Sequence, residues 1–582
     1  MRPPSLQNFY LEKPATLLMI ITILSVFIWI GRSDFYTKGE PREASVAVSM
    51  INNNHWILPE VYADEISYKP PLMHWMTAIF SLPEGKVTPF ASRLPSALAF
   101  MGLIFCSFTF FGRNLRMQES FLASLILLTT LELHRSAFAA RVDMLLTLLI
   151  VWALTRLFRW EEKSKLSTFP WLIPIIMSLA VLTKGPVGIV LPLLIFGVYL
   201  LFLHYNFWKI IIKLIPLALL ASIIPLIWYC LAYQQGGKDF LDLILAENFG
   251  RFWETNNLNI QYDLGHDKGW WYNWVMLIAG FIPWTLLLAI SLFCLPYKRF
   301  PGFKSLLNSF PKMEKTKLFS LIAAAIIFFF YSIPSSKRSV YLMPAYPFIA
   351  IFIAQYILYL TEYKTIIIRV FAIFVGLAAS AFGLMTLLTV TTGWVNPVDL
   401  FSNSINDFAR LEQFYEIWQS SNFSHILSIV LLIILSFSIF FLFKSLYKKV
   451  YLKTLYATFG IYLSMLLMLD GLLFPGYQNA ISVKHISNNL NENYTLTDNN
   501  LFVMNNLLEY SNMYGLNFYL NNSFRNFEQV LPNEGYFLSG NKSFEKVFQK
   551  YNSDYNFNLL EEYPNYSRDG ERIIQFYSFK KK

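Results

Sequence analysis

One lysine stands inside a long apolar stretch of the sequence. Lys184 belongs to LTKGPVGIVLP, in an apolar run from about Trp171 to Leu203, where an unpaired cation is costly. Gly185 and Pro186 follow it, which predicts a sharp turn into a second helix whose free N–H groups face the ammonium. A cation beside a positive helix terminus suits an anion such as phosphate. The alternative is a lysine that only keeps a tight turn in contact with water.

Two acidic residues are the first candidates for catalysis. Asp143 follows Arg141 in AFAARVDMLL, and an ionisable side chain at the mouth of an apolar segment is a candidate functional group. Its alternative is a helix N-cap, with Arg141 reaching lipid headgroups. Glu40 lies in TKGEPREASVAVSM, which predicts a short amphipathic helix on the membrane surface. The alternative is that these carboxylates only interact with the dipole of that helix. This alternative is left open for Glu40 and is favoured for Glu43.

Composition identifies the elements that must position these residues. Of 582 residues, 55% are hydrophobic and 14% are charged, so the chain is a polytopic membrane protein. The net charge of +10 lies in short loops between apolar segments, as membrane orientation requires, and we exclude nucleic acid as a partner. The three cysteines form neither a disulfide framework nor a thiolate metal site.

Thirteen apolar stretches are long enough to be transmembrane helices. They lie near 15–31, 93–112, 119–134, 143–159, 170–183, 185–204, 208–232, 271–295, 317–333, 340–360, 366–390, 425–443 and 451–473. The stretch 70–82 is too short and predicts a helix that lies in the interface or re-enters it. With a cytoplasmic amino terminus, every internal loop is basic, as the positive-inside rule requires.

The assignment of transmembrane segments divides the chain into two domains. Residues 1–474 form the predicted transmembrane domain, with a first external loop at 32–92, and residues 475–582 form a small external α+β domain. Four short segments of this tail predict strands: NLFVMNN, GLNFYL, EGYFLSG and ERIIQFYSF.

Several further polar residues fall on the outer face in this topology. They are Lys69, Arg251, His266, Lys337, Arg338 and Tyr341. His266 is either a hydrogen-bonded loop residue or a ligand for a divalent cation. Carboxylates and cations at one interface suit the removal of a group from a lipid phosphate, with the leaving phosphate held by the cations.

The order of the motifs resembles a known superfamily. The motifs are GEPREASVAVSM, HWILPEVYADEISYKPPLMHW, SRLPSALAF, ARVDMLLTLL, LTKGPVGIVLP, ENFGRFWE with KGWWYNW, and SSKRSVYLMPAYPFIAI. Together they resemble the GT-C lipid-phosphate-dependent glycosyltransferases, in the bacterial branch of the lipid A aminoarabinosyltransferase and the protein O-mannosyltransferase-like enzymes.

The resemblance implies an all-α GT-C fold with its site on the periplasmic face, outer-face helices and a sugar donor carried on a polyprenyl phosphate. It implies catalytic roles for Glu40 and Asp143. Contacts with the donor phosphate or the substrate cavity are implied for Arg42, Lys69, Lys184, Arg251, Lys337, Arg338 and Tyr341.

Two positions depart from the family pattern. Gly39 stands where the family commonly has an aspartate, and Tyr68 stands where the aminoarabinosyltransferase has a glutamate that helps to bind a metal. A divalent cation is therefore left open, with His266 as its candidate ligand.

The expected function is inverting transfer of a sugar to a hydroxyl of a lipid or protein at the inner membrane. The alternative is a lipid or solute transporter, which predicts charges at mid-bilayer depth and inverted repeats. A receptor or scaffold that uses the tail is a weaker alternative.

Overall fold

The computed structural model describes residues 4–35, 39–62, 65–67, 69–249, 268–294, 313–394, 422–497, 499–504, 511–564 and 573–582. Apolar helices form most of this part of the chain. They are Pro4–Thr22, Pro89–Asn114, Met117–Thr129, Leu131–Ala137, Val142–Ser164, Leu172–Lys184, Val187–Phe202, Phe207–Phe249, Tyr272–Gly280, Trp284–Cys294, Lys315–Phe330, Tyr346–Tyr363, Thr365–Thr386, Asn422–Tyr447 and Tyr451–Met468. Shorter 3₁₀ or π segments are Ile23–Phe27, Leu82–Glu84, Ser339–Ala345, Leu387–Thr391 and Leu469–Leu473.

The apolar helices confirm a multi-pass membrane protein. In the described part of the chain, six helices are long and apolar enough to cross a bilayer, and the number is eight if each of two bent helix pairs is one span. The bends are 116° between Leu131–Ala137 and Val142–Ser164, and 103° between Tyr272–Gly280 and Trp284–Phe293. Every one of the thirteen predicted stretches contains a helix. The exact number of crossings stays a prediction.

The loop at 32–92, which is predicted to be external, contains the predicted helices and a small hairpin. Gly39–Asn52, called the loop helix below, is followed by antiparallel strands Glu60–Tyr62 and Glu65–Ile66, and then by the helix Leu72–Ser81. The short helix expected at 70–82 is therefore present.

The surface position predicted for the loop helix needs correction. Its side chains from Glu40 to Met50 are buried, except for the half-buried Arg42. Val46 and Met50 pack against tail residues such as Ile486 and Leu516. The tail covers the apolar face of the helix, so that this face meets protein and not lipid.

The tail forms a five-stranded mixed sheet with helices. In spatial order the strands are Arg525–Asn526, Leu501–Val503, Glu534–Gly540, Ile573–Lys581 and Tyr555–Pro564. The first three are parallel, and the last two are antiparallel to their neighbours. The helices are Phe474–Ala480, Lys484–Asn493, Ser511–Tyr519, Phe527–Val530 and Asn541–Tyr551.

Three of the four predicted tail strands are present, and the fourth is wrong. GLNFYL belongs to the helix Ser511–Tyr519. Asn517, which is fully buried there, accepts a hydrogen bond from the backbone N–H of Phe524 at 3.3 Å and donates one to the side chain of Asn522 at 2.7 Å. A short apolar run has no period that separates helix from strand. Tertiary packing decided its conformation, because Leu516 lies in the core shared with the loop helix and Asn517 donates to the backbone carbonyl of Val61 at 3.4 Å.

Candidate functional site

The turn at Lys184 has the predicted form. Lys184 ends one helix, Gly185 has φ +80°, and the next helix begins at Val187. A Cβ atom on Gly188 would lie 2.6 Å from the backbone carbon of Ala180. A glycine at this position therefore lets the two helices approach closely, and the lysine is held at their joint.

The Lys184 ammonium has two partners at this joint. It donates a short hydrogen bond to Oδ1 of Asp143, in the first turn of the Val142–Ser164 helix. It also lies 4.1 Å from the ring centroid of Tyr341, in cation–π geometry. The Asp143 side chain is 11% exposed and the Lys184 side chain is 24% exposed, so a ligand can still reach the cation.

Glu43 on the loop helix is the centre of a second charged group. Its Oε1 accepts a short hydrogen bond from Lys69 and lies 3.4 Å from a nitrogen of Arg42, and its Oε2 lies 3.0 Å from Nε2 of His74. Burial alone would raise the pKa of Glu43, but Lys69, His74 and Arg42 together hold it well below its usual range. Burial also lowers the pKa of Lys69 to about 8, against the opposing effect of Glu43.

The two charged groups form one site. Asp143 is close enough to Lys69 to raise the pKa of that lysine. Four cations, Arg42, Lys69, Arg141 and Lys184, therefore surround the carboxylates of Glu43 and Asp143. The excess of positive charge at the mouth of the helix bundle suits an anionic ligand such as a phosphate.

Arg141 lies against the position at which the family has an aspartate. A Cβ atom on Gly39 would lie 2.4 Å from a terminal nitrogen of the Arg141 guanidinium. Gly39 and Glu43 are four residues apart on one helix, so their side-chain positions share a face. In this chain the carboxylate of that face belongs to Glu43, one turn beyond Gly39.

The tail reaches the same site through Arg42. Arg42 is close enough to Tyr514 to affect the pKa of its hydroxyl, which burial raises to about 12. Arg42 also acts on Glu65 of the hairpin, whose pKa burial raises to about 7 against the effect of the guanidinium. The loop helix, the hairpin and the tail therefore meet at one arginine.

Glu40 is held in place by several hydrogen-bond donors, and its catalytic role stays a prediction. Glu40 is 4% exposed and accepts hydrogen bonds from Nε of Arg93 at 2.8 Å, from Nη2 of Arg93 at 3.2 Å and from the backbone N–H of Ala140 at 3.1 Å. It ties the loop helix to the Pro89–Asn114 helix and to the segment before Asp143. A carboxylate with these partners is a structural anchor.

The remaining predicted site residues have different outcomes. Lys337 is 5% exposed and donates to the backbone carbonyls of Lys268 at 3.1 Å and Pro334 at 2.7 Å, so its observed contacts hold a loop together. Arg338 precedes the 3₁₀ turn that carries Tyr341. Arg251 and His266 lie outside the described residues. In the described ranges no three His, Cys, Asp or Glu side chains gather as metal ligands, and the divalent cation stays a prediction.

The sequence analysis did not predict three residues of the site. Glu43 was assigned to the helix dipole, and His74 and Tyr514 were not considered. The spacing of Glu43 four residues after Gly39 was the available signal for Glu43. No local pattern marks His74 or Tyr514, because both enter the site through tertiary packing.

Comparisons with known proteins agree with this architecture. The profile of the family described as dolichyl-phosphate-mannose-protein mannosyltransferase matches residues 68–229. The undecaprenyl phosphate-alpha-4-amino-4-deoxy-L-arabinose arabinosyl transferase of Shewanella sediminis is 24% identical over 352 residues, which are 59% of each chain. An uncharacterised protein of Aquifex aeolicus is 26% identical over 349 residues, covering 59% of this chain and 63% of the other. The matched region thus spans about three fifths of these relatives.

Solved structures confirm the fold. The crystal structure of ArnT from Cupriavidus metallidurans bound to undecaprenyl phosphate superposes with a TM-score of 0.67 at 18% identity, covering 96% of this chain and 97% of that chain. The apo structure of the same protein gives a TM-score of 0.66. The predicted fold is confirmed, and the chain is similar in sequence to the arabinosyl transferase relatives over about three fifths of its length.

Proposed function

We propose that the protein is an integral membrane glycosyltransferase that moves a hexosyl or pentosyl group from a polyprenyl phosphate to a hydroxyl of a lipid A-like lipid or a protein. The observation that carries this proposal is the joint site of Glu43, Lys69, Asp143 and Lys184, in which two partly exposed lysines each hold a buried carboxylate. Such a site offers both a proton acceptor and cations for a departing phosphate.

The proposed step is an inverting displacement at the anomeric carbon of the donor sugar. The acceptor hydroxyl oxygen forms the new bond to this carbon while its proton passes to a carboxylate. The bond from the anomeric carbon to the phosphate oxygen breaks, and its electron pair leaves with the polyprenyl phosphate. The lysines stabilise the charge that develops on this phosphate, and a good leaving group allows a weak carboxylate base to suffice.

Glu43 takes the role of base in this proposal, in place of Glu40. In the structure Lys69 donates a hydrogen bond to the Glu43 carboxylate and helps to hold the pKa of Glu43 low. A bound phosphate competes for the same ammonium and so restores basicity to the carboxylate. Asp143 orients Lys184 towards the phosphate, and the Tyr341 ring supports the lysine from its other side.

The names of the relatives support a lipid-phosphate donor. The Shewanella protein is named for undecaprenyl phosphate and an aminoarabinose, and the Cupriavidus structure contains undecaprenyl phosphate. The same names favour the transferase over the transporter. The proposed location is the bacterial inner membrane, with the amino terminus in the cytoplasm and the tail in the periplasm, because the internal loops are then basic.

The test combines donor binding with transfer in purified protein incubated with membrane lipid extract, read by mass spectrometry. We expect Lys184→Ala to lose bound polyprenyl-phosphate sugar. Glu43→Gln and Asp143→Asn should retain the donor, and for Glu43→Gln the transfer rate should fall by roughly 10² to 10⁴. Lys209 is the matched control, since it also lies over a tyrosine, Tyr205, at 5.2 Å but on the predicted cytoplasmic side.

Two outcomes would contradict the proposal. If neither the wild type nor any variant binds a polyprenyl lipid, the site does not serve a lipid phosphate. If the lipid is bound and moved across reconstituted membranes without any glycosylated product, the protein is a transporter.

A further inference from the structure

His74 belongs to the site but has no part in the transfer step described above. It lies in the first turn of the helix Leu72–Ser81, and its side chain is 1% exposed. A polar ring is costly to bury unless its nitrogens form hydrogen bonds. The contact that offsets this cost is with the Glu43 carboxylate, at 3.0 Å.

The two oxygens of Glu43 have separate partners. Oε1 accepts a hydrogen bond from Lys69 and lies 3.4 Å from a nitrogen of Arg42, whereas Oε2 lies 3.0 Å from Nε2 of His74. The Lys69 side chain is 23% exposed and the His74 side chain is 1% exposed. The lysine on its flexible stem can therefore turn to a ligand, while the imidazole stays where packing holds it.

The surroundings of the His74 ring indicate which nitrogen carries the hydrogen. A carboxylate beside two cations is ionised and only accepts hydrogen bonds, so Nε2 is the donor. Among the described residues, the buried Nδ1 has no hydrogen-bond partner. A lone pair without a partner costs less than a buried, charged N–H without one. The geometry therefore favours a ring with its hydrogen on Nε2.

A second histidine has the same arrangement elsewhere in the chain. Nε2 of His134 lies 2.6 Å from Oδ2 of Asp470, both side chains are buried, and Nδ1 has no partner in the part of the chain that the structure describes. In those same ranges, no lysine or arginine forms an ion pair with Asp470. The two histidine–carboxylate pairs therefore differ in one respect, which is the exchangeable cation on Glu43.

We propose that His74 is a positioning residue for transfer: its Nε2–H holds Oε2 of Glu43, so that Oε1 receives the proton of the acceptor hydroxyl once Lys69 turns to the donor phosphate. The imidazole keeps its own hydrogen throughout, and the transferred proton ends on Glu43. This inference rests on the proposed transferase function and adds the group that directs its base.

Loss of the imidazole N–H should affect the rate more than donor binding. Without a partner at Oε2, the carboxylate can turn about its last bond, and the proton acceptor has no fixed direction. A misplacement of about 1 Å in a reacting group can cost about 100-fold in rate. The donor phosphate is held by the lysines, which the change leaves in place.

The experiment measures transfer by the full chain in lipid nanodiscs, with the undecaprenyl-phosphate sugar fraction of membrane lipid extract as donor. We expect His74→Leu to lower kcat by roughly 10- to 100-fold, with little change in the KM for the donor. His74→Gln should restore most of the rate, because its amide N–H reaches the position of Nε2. His74→Asn should not, because its amide lies nearer the position of Nδ1.

A double-mutant cycle separates positioning from a structural effect. In a Glu43→Gln background, His74→Leu should lower kcat no further, because the imidazole acts through the carboxylate. His134→Leu is the matched control, since it removes the same ring from a buried carboxylate. We expect it to lower the thermal unfolding midpoint and to change transfer by the same factor in both Glu43 backgrounds.

Three results would overturn the inference while transfer by the wild type upholds the proposed function. They are equal rates for the Gln and Asn variants of His74, a further loss of rate from His74→Leu in the Glu43→Gln background, and a change confined to the KM for the donor. The comparison of Gln with Asn decides the question even if the Leu variant fails to fold. A wild type that transfers nothing would reject the proposed function, and the inference with it.

Discussion

Two carboxylates three residues apart on the loop helix have opposite environments. Glu40 is matched by Arg93, whose other N–H groups donate to the backbone carbonyls of Ile30, Ser33 and Asp34. Glu43 is matched by Lys69, whose side chain is 23% exposed. The arginine of the first pair is 2% exposed, so the first pair is closed and the second is open to a ligand.

This difference separates charges that hold the fold from charges that can exchange partners. When one partner of a buried guanidinium with fixed acceptors on several segments is removed, the cost in folding free energy is large. A lysine on a flexible stem can move from a carboxylate to a phosphate at smaller cost. By the same contrast, the pair of Asp143 and Lys184 can exchange partners, because that lysine is 24% exposed.

The largest expected effect is on stability and comes from the closed pair. Glu40→Ala leaves the buried guanidinium of Arg93 without its counter-charge, which typically costs about 3–5 kcal/mol. We expect a clearly lowered thermal unfolding midpoint in detergent, with Glu43→Ala affected much less. A Glu40→Ala protein that is stable and binds donor but transfers nothing would break the comparison and return catalysis to Glu40.

If Lys69 of the open pair moves from Glu43 to the donor phosphate, donor binding should depend on pH. The pKa of Lys69 is about 8, so the ammonium is charged below this pH and becomes neutral as the pH rises through it. Loss of a charge-assisted hydrogen bond of about 1.5–3 kcal/mol should weaken donor binding roughly 10- to 100-fold above that pH. Lys69→Arg should keep binding at high pH, because arginine stays charged.

Donor affinity measured from pH 6.5 to 9.5 decides this prediction. A profile that is flat for both the wild type and the arginine variant would remove Lys69 from the phosphate site.

The smallest expected effect sharpens the assignment of Glu43. In a Glu43→Gln background, Gly39→Asp places a carboxylate one turn earlier on the same face, beside the movable guanidinium of Arg141. We expect a few-fold recovery of transfer, measured as product per donor consumed. Gly39→Asn in the same background is the isosteric control, and equal recovery by both variants would show that the negative charge is not responsible.

Much of the architecture followed from the sequence alone. The thirteen apolar stretches, the turn at Lys184 and three of the four tail strands are present because each depends on local pattern. The segment GLNFYL became a helix that packs against the loop helix, and its buried Asn517 donates to the distant backbone carbonyl of Val61 at 3.4 Å, a contact that the local pattern does not contain.

The site divides in the same way. The sequence by itself predicted that Asp143, Lys184, Lys69 and Tyr341 lie on one side of the membrane domain, since spans and charge bias assign each loop to a side, and the structure brings these four residues together. Only the tertiary structure decided which carboxylate is closed and which is open. Glu40 and Glu43 have the same chemistry and neighbouring positions, and the partners that distinguish them, Arg93 and Lys69, are 53 and 26 residues away along the chain.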